Sequence, residues 1–568
     1  MDLNELRQQA QEEARDFLEN EQEYRMGYIE AELPHPLTRR LSQTYAESIE
    51  NGVKLLLSVD DAMANRAAAT LAGEDYARFA ETIRKTIGEG HRVVFSGCGS
   101  SGRLSMRLEQ SWRTAIRKLS VQYPEAKAAL EAKLESVGNI MTGGDYAVIR
   151  AVESFEDSPA LGMEQTRLLG LGKGDLLVGV TATGETTSIL GTAMQALNDG
   201  AAVYMLICAD PKPLIGKMSR AKALYTNPGC SVLSLPCGPM ALTGSTRMQS
   251  STFEQFAAAV ALEGALHDIL RSCGIQLQTA EYGWYGQQFA AMTRQLMAQQ
   301  AVSVLSAATR EEKATYEAGG LITICAEEYL LDVLTDTTER APTFMTPPFC
   351  SADMQQKEQS WAFVKNPSCD TEEAWRRCFA REPRCIEWDL DTYRALGFTE
   401  KQLTKINPIG IDALRKFMIG NEPMPQREDH PASHVMWVDE KAAPAEFFTH
   451  AARYAKCNQL TLEMTGIQLP DTAMDLYQHL AIKILLNTVS TGVMAAMGRI
   501  DGNWMTCLAM SNKKLVDRSA RIVSDVCGVP YEKALEENFY SKALTEAQNL
   551  LRSPVQETIR RLGTRTDL

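Results

Sequence analysis

The chain has 568 residues, 45% of them hydrophobic and 23% charged, a balance that excludes a disordered, collagen-like or small disulfide-stapled protein and leaves room for at least two cores. Lys plus Arg number 58 and Asp plus Glu 72, a net charge of −14; such a surface repels phosphate backbones, and no basic cluster with interleaved aromatics offsets it, so nucleic acid is not an expected partner. The 13 cysteines are odd in number, scattered and without a C-x-x-C pair, which fits a reducing compartment. The acidic N-terminus lacks a signal-type apolar run and no segment reads as a membrane span, so the expected setting is cytoplasmic.

Residues 1–90 are rich in Ala, Glu and Arg at helical spacing, with amphipathic helices predicted at 39–59 and 74–87. Pro34 and Pro36 force an extended break before them. A short apolar strand is predicted at 91–96; it runs into Gly97-Cys98-Gly99-Ser100-Ser101-Gly102 and an amphipathic segment from Arg103. A second unit repeats the order: strand 175–180, the loop Thr181-Ala182-Thr183-Gly184-Glu185-Thr186-Thr187, helix 188–197. Strands at 202–208 and 231–235 and one long helix at 245–269 follow, and the looser stretch 274–285 marks a domain boundary. Strands resume at 321–325, 360–364, 385–390, 434–438 and 460–463, with 391–431 as a Pro-, Gly- and charge-rich insertion. From Leu476 the chain reads as helices to its end. Strands alternating with helices predict α/β architecture, a parallel sheet covered on both faces, in two diverged copies.

Three hydroxyl-rich loops stand out. Gly97–Gly102 has glycines that let a backbone approach an anion, and the helix behind it offers free N–H groups; Ser100 and Ser101 favour a compact phosphate over a dinucleotide. Thr183, Thr186 and Thr187 sit at the next strand end, where ligands of open α/β sheets bind. Gly244-Ser245-Thr246-Arg247 is a helix start that either caps its helix or floors the same pocket. Glu156, beside Phe155, and Glu339 are candidate acids or bases; the alternative is a solvated cluster for the first and a neighbouring cation for the second. Lys483 lies within an apolar helical run and needs a partner or a path to solvent. His430 and His434 have Pro431 between them and no third ligand, so no metal is expected.

Taken together these strings resemble a known family. Gly97-Cys98-Gly99-Ser100-Ser101-Gly102-Arg103 looks like the phosphosugar loop of sugar isomerase (SIS) domains, and more narrowly that of the N-acetylmuramic acid 6-phosphate etherases and glucokinase regulatory protein. Gly143-Gly144-Asp145 with Glu153-Ser154-Phe155-Glu156-Asp157, Leu242-Thr243-Gly244-Ser245-Thr246-Arg247-Met248, Leu486–Gly492 and Ser511-Asn512-Lys513-Lys514 are similar to further segments of that family. The resemblance implies two SIS-type doubly wound, flavodoxin-like domains at 61–275 and 286–498 forming a pseudo-dimer. A helical segment at 1–60 precedes them, and a C-terminal helical region at 499–568, either lid or docking surface, follows.

The departures from the family are specific. The etherase's catalytic Glu in the helix after the first loop is replaced by Ser111, and the Lys expected after Gly244–Met248 is replaced by Gln255. Thr183 and Glu185 stand where Ser and a basic residue are usual. The second half supplies what is missing: Glu339, in Asp336-Thr337-Thr338-Glu339-Arg340-Ala341-Pro342, matches the lost Glu segment, and Lys483 the lost Lys. That half lacks the glycine loop, with Ile324-Cys325-Ala326-Glu327-Glu328 in its place.

The resemblance thus implies one composite site for a sugar 6-phosphate. Gly99, Ser100, Ser101, Gly102, Thr183, Gly184, Thr186 and Thr187 would bind phosphate; Glu153, Ser245, Lys483 and Asn512 would bind the rest. An etherase-type lyase would use Glu339 as acid and Glu156 as base or its support, without metal or organic cofactor. The alternative is a non-catalytic sensor like glucokinase regulatory protein, controlling a partner sugar kinase. A phosphosugar isomerase ranks third.

Overall fold

The computed structural model describes residues 3–152, 154–275, 281–351, 358–404, 406, 409–550 and 552–564. Glu153 and residues 276–280 of the predicted boundary lie outside them. Two parallel sheets are present. The first joins β1 (Val93–Gly97), β2 (Val137–Met141), β3 (Leu176–Val180), β4 (Ala202–Ile207) and β5 (Cys230–Ser234) in the order β2-β1-β3-β4-β5. The second joins β6 (Ile322–Cys325), β7 (Ala362–Lys365), β8 (His434–Asp439) and β9 (Lys456–Thr461) in the order β7-β6-β8-β9, the same winding without a fifth strand. Each sheet reverses direction of winding at its first strand, which opens a crevice at the strands' carboxyl ends.

The helices that matter to that crevice are few. Ahead of the first sheet lie α1 (Leu3–Asn20), α2 (Ile49–Leu71) and α3 (Glu74–Gly88). Within the two domains, α4 (Gly99–Gln122) follows β1, α5 (Thr187–Asn198) follows β3, α6 (Gln249–Ser272) follows β5, α7 (Leu330–Phe344) follows β6 and α8 (Leu476–Ala496) follows β9. The C-terminal region consists of α9 (Lys513–Cys527), α10 (Tyr531–Gln548) and α11 (Pro554–Leu562). Helices α4, α6, α7 and α8 pack on one another between the two sheets. Helix α8 is long and apolar enough to cross a membrane, yet almost all of it is buried in protein, so it reads as a core helix. A separate apolar cluster joins Leu6 and Phe17 of α1 to Val523 of α9, Leu535 of α10 and Val555 of α11, so the two chain ends form a common cap.

Several predicted elements differ from the structure, the first being the helix predicted at 39–59, which is two helices, Leu41–Glu47 and Ile49–Leu71, with Ser48 capping the second. Strand β2, Val-Gly-Asn-Ile-Met, was not expected, because Gly138 and Asn139 interrupt its apolar run. The predicted strand at 385–390 is no sheet strand: Cys385 makes an isolated bridge to Gly144 of the first domain, and Asp145 and Arg384 exchange backbone and carboxylate hydrogen bonds there. Its alternating pattern is satisfied by packing across the domains, with Ile386 against Gly144. Strand β9 begins at Lys456, ahead of the predicted 460–463; it is the polar edge strand of its sheet, exposed at Lys456 and Cys457. The long helix predicted from Ser245 starts at Gln249, so Ser245 is not its cap.

Candidate functional site

At Gly97 and Gly102 the turn has no room for a side chain. A Cβ on Gly97 would lie 2.3 Å from the Ser101 backbone, and one on Gly102 2.1 Å from Met141 Sδ and 2.8 Å from Gly97 O. Gly99 takes the left-handed φ of +56°. Cys98, the residue before α4, makes no side-chain cap, so the first N–H groups of this 24-residue helix face the crevice without a protein side chain to receive them. The start of α5 is likewise uncapped: Thr186 Oγ1 is occupied with Thr181 Oγ1 at 2.9 Å, and Thr187 opens the helix. Thr183 Oγ1 donates to Glu185 Oε1 at 3.2 Å, and the Tyr225 hydroxyl pins Gly184 O at 2.6 Å. Two helix N-termini without side-chain caps therefore stand at the ends of β1 and β3, an arrangement suited to a phosphate, although at α5 the Ser188 N–H already donates to Glu156 O at 3.0 Å.

Next to this loop a narrow cleft opens between four helices. Ser100, Arg103 and Arg107 reach it from α4, Ser251 and Gln255 from α6, Asp332, Thr335, Asp336 and Glu339 from α7, and Lys483 and Asn487 from α8. Glu339 comes from the second domain and meets the first: Ser100 Oγ donates to its Oε2 at 3.2 Å, and Arg103 Nη1 lies 2.5 Å from its Oε1. Arg247 pairs with Asp336 at 2.7 Å and donates to Asn487 and Ser490. Burial pulls the Arg247 guanidinium below its usual range, while Asp336 works the other way. Lys483 does not reach solvent; its ammonium donates to Arg247 O (2.7 Å), Met248 O (3.3 Å) and Thr252 Oγ1 (2.7 Å), and burial pushes its pKa down to about 8.

The other predicted residues occupy different places. Ser101 donates to Glu254 Oε2 at 3.4 Å, and burial holds that carboxyl well above the usual range. Glu156 is absent from the cavity lining; it pairs with Lys514 of the cap at 2.7 Å, and that ammonium, against the effect of burial, holds it ionised. Lys514 also stands 4.0 Å from Glu185, which Arg220 meets at 3.0 Å. Asn512 accepts from Leu515 N and caps α9. Ser245 sits in the turn before α6, its N–H on Leu242 O, and does not line the cavity. Glu153 is outside the described residues.

Sequence reasoning assigned no site role to Arg103, Arg107, Asp332, Asp336, Asn487 or Lys514, and named Arg247 only as part of a loop that could floor the pocket. A signal was present for two of them: Arg103 and Arg107 are spaced i, i+4 on a helix whose other positions read as core, a pattern that calls for buried partners.

A family model for the glucokinase regulatory protein N-terminal SIS domain matches residues 76–197. N-acetylmuramic acid 6-phosphate etherase from Salmonella agona is 28% identical over 241 residues, covering 42% of this chain and 71% of the relative. N-acetylmuramic acid 6-phosphate etherase 1 from Vibrio cholerae is 28% identical over 221 residues, 38% of this chain and 62% of its own. The C-terminal domain of glucosamine-fructose-6-phosphate aminotransferase from Francisella tularensis aligns over 78% of this chain and 96% of its own, at a TM-score of 0.43 and 8% identity, too loosely to add to the topology above. Residues 76–197 thus match a SIS domain, and the chain is similar over 241 residues to N-acetylmuramic acid 6-phosphate etherases.

Proposed function

We propose that the chain is a sensor that binds one sugar 6-phosphate between its two domains. The observation that carries this reading is the seat of Glu339, a second-domain carboxylate, on Ser100 and Arg103 of the first-domain loop. Phosphate would take the open N–H groups of α4 and α5 together with the Ser100 hydroxyl, which gives up Glu339 to do so. The sugar would extend into the cavity among α4, α6, α7 and α8. Glu156 and Lys514 flank the same loops from the cap, so a ligand there acts on three bodies at once and can shift their equilibrium. The likeness to glucokinase regulatory protein suggests a sugar kinase as the partner such a sensor controls.

An etherase needs a carboxylic acid and a carboxylate base. Glu156 and Glu339 are each paired with a cation, Lys514 and Arg103, an arrangement that does not set one of the two apart as the acid. The chain is therefore expected to release no lactate from N-acetylmuramic acid 6-phosphate, while sugar 6-phosphates raise its melting temperature; a ligand at a hundred times its Kd adds about 2.7 kcal/mol. Lactate release that disappears in both Glu339→Gln and Ser101→Ala would replace the sensor with a lyase.

A further inference from the structure

Resting on the sugar phosphate reading above, we infer that Gln255 is the specificity-determining residue of the cavity, selecting an uncharged hydroxyl or carboxamide on the sugar over a carboxylate. Gln255 is 5% exposed, projects from α6 into the cavity, and its amide has no hydrogen-bond partner among the described residues. An amide that lines a cavity without a protein partner is left for a ligand or water to complete. The amide offers a donor and an acceptor together, which matches a hydroxyl or an N-acyl group.

The charges around it favour the same class. Each arginine of the cavity already faces a carboxylate: Arg103 lies 2.5 Å from Glu339, Arg107 3.5 Å from Asp332 and Arg247 2.7 Å from Asp336. Lys483, the fourth cation of the lining, spends its three protons on Arg247 O, Met248 O and Thr252 Oγ1. A ligand carboxylate entering here would have three protein carboxylates nearby and no cation free to receive it. Gln255 itself occupies the position where the resemblance leads one to expect a lysine, so the exchange removes a cation that would have changed this balance. Ser251 lies one turn before it on the same face, with its hydroxyl turned back to Arg247 O, which leaves the Gln255 amide as the open polar group of that wall.

Titration calorimetry on the full chain tests this with three probes: inorganic phosphate, glucose 6-phosphate and N-acetylmuramic acid 6-phosphate. Wild type should bind glucose 6-phosphate more tightly than the lactyl sugar. Gln255→Leu should weaken glucose 6-phosphate about tenfold and leave inorganic phosphate within about twofold, the latter showing that the loop is intact. Gln255→Lys should move the preference toward N-acetylmuramic acid 6-phosphate. Unchanged glucose 6-phosphate affinity in Gln255→Leu, or a wild-type preference for the lactyl sugar, overturns the role of Gln255 and leaves sugar phosphate binding standing. Wild type that binds none of the three probes overturns both.

Discussion

The two sheets share one winding, yet their strand ends have opposite chemistry. In the first sheet Ser96 pairs with Gly179, and in the second Cys325 pairs with Trp437. With Gly97 and Cys325 both ending their strands, Ser100 corresponds to Glu328 and Thr183 to Glu440. Hydroxyls at one crevice are thus carboxylates at the other, and Asp439, pushed up to about 6 by burial, adds to them. The same equivalence sets Glu339 against Ser111, which lines a smaller cleft with Glu328, Asp475 and His479. A phosphate is welcomed at the first crevice and repelled at the second. On the proposed reading a repeated fold carries one site: the second half lacks the glycine loop, and its Glu339 reaches across to Ser100 and Arg103 of the first.

Several measurements would break or sharpen this contrast, and the cap provides the largest effect. Buried Glu32 holds Arg518 and Arg521 of α9, and Arg518 lies over Gly244 of the first domain. Glu32→Ala strands both guanidinia and should cost roughly 4 kcal/mol in urea unfolding at neutral pH. Burial opposes the Glu32 carboxylate, but the two arginines outweigh it and bring its pKa from 4.5 to about 2. A depressed folded pKa stabilises above the unfolded value, so wild-type stability should fall as pH drops from about 5 to about 2, by on the order of 3 kcal/mol. The variant should lack that acid slope.

Next comes the loop itself. Gly97→Val drives a side chain into the Ser101 backbone and should cost roughly 3 kcal/mol in thermal unfolding and abolish sugar phosphate binding. Cys325→Ala, at the equivalent place in the second sheet, should cost only about 1 kcal/mol and leave binding intact. Transplanting the second crevice's chemistry is milder on the fold. Ser100→Glu should weaken glucose 6-phosphate about a hundredfold, or about 2.7 kcal/mol, with little change in melting temperature. The smallest effect belongs to Lys118, half exposed and paired with Asp475 at the second cavity. Lys118→Ala should cost below about 1 kcal/mol and leave ligand affinity unchanged.

Much of this was legible in the sequence, for physical reasons that can be named. Val93–Gly97 and Leu176–Val180 are buried on both faces, so each appears as an unbroken apolar run followed by a glycine turn. That Glu339 and Lys483 reach toward first-domain segments was legible as complementary gaps, Ser111 and Gln255 in one half, Glu339 and Lys483 in the other. What pattern could not reveal is direction across space. The contact of Cys385 with Gly144 joins two domains and has no local signature. The Arg103–Glu339 and Arg247–Asp336 pairs are equally non-local, and the sequence around either charge does not name its partner. Lys514 and Asn512 lie two residues apart, and only the three-dimensional cap shows that the lysine faces Glu156 while the asparagine caps its own helix.

The central claim is one phosphosugar site per chain, made by both domains. The most direct measurement is the stoichiometry of glucose 6-phosphate binding by titration calorimetry, on wild type, Ser100→Glu and Glu328→Ser. The account predicts about one ligand per chain for wild type and Glu328→Ser, and none for Ser100→Glu at the same concentrations. Two ligands per wild-type chain, or binding that survives Ser100→Glu and disappears in Glu328→Ser, would contradict it.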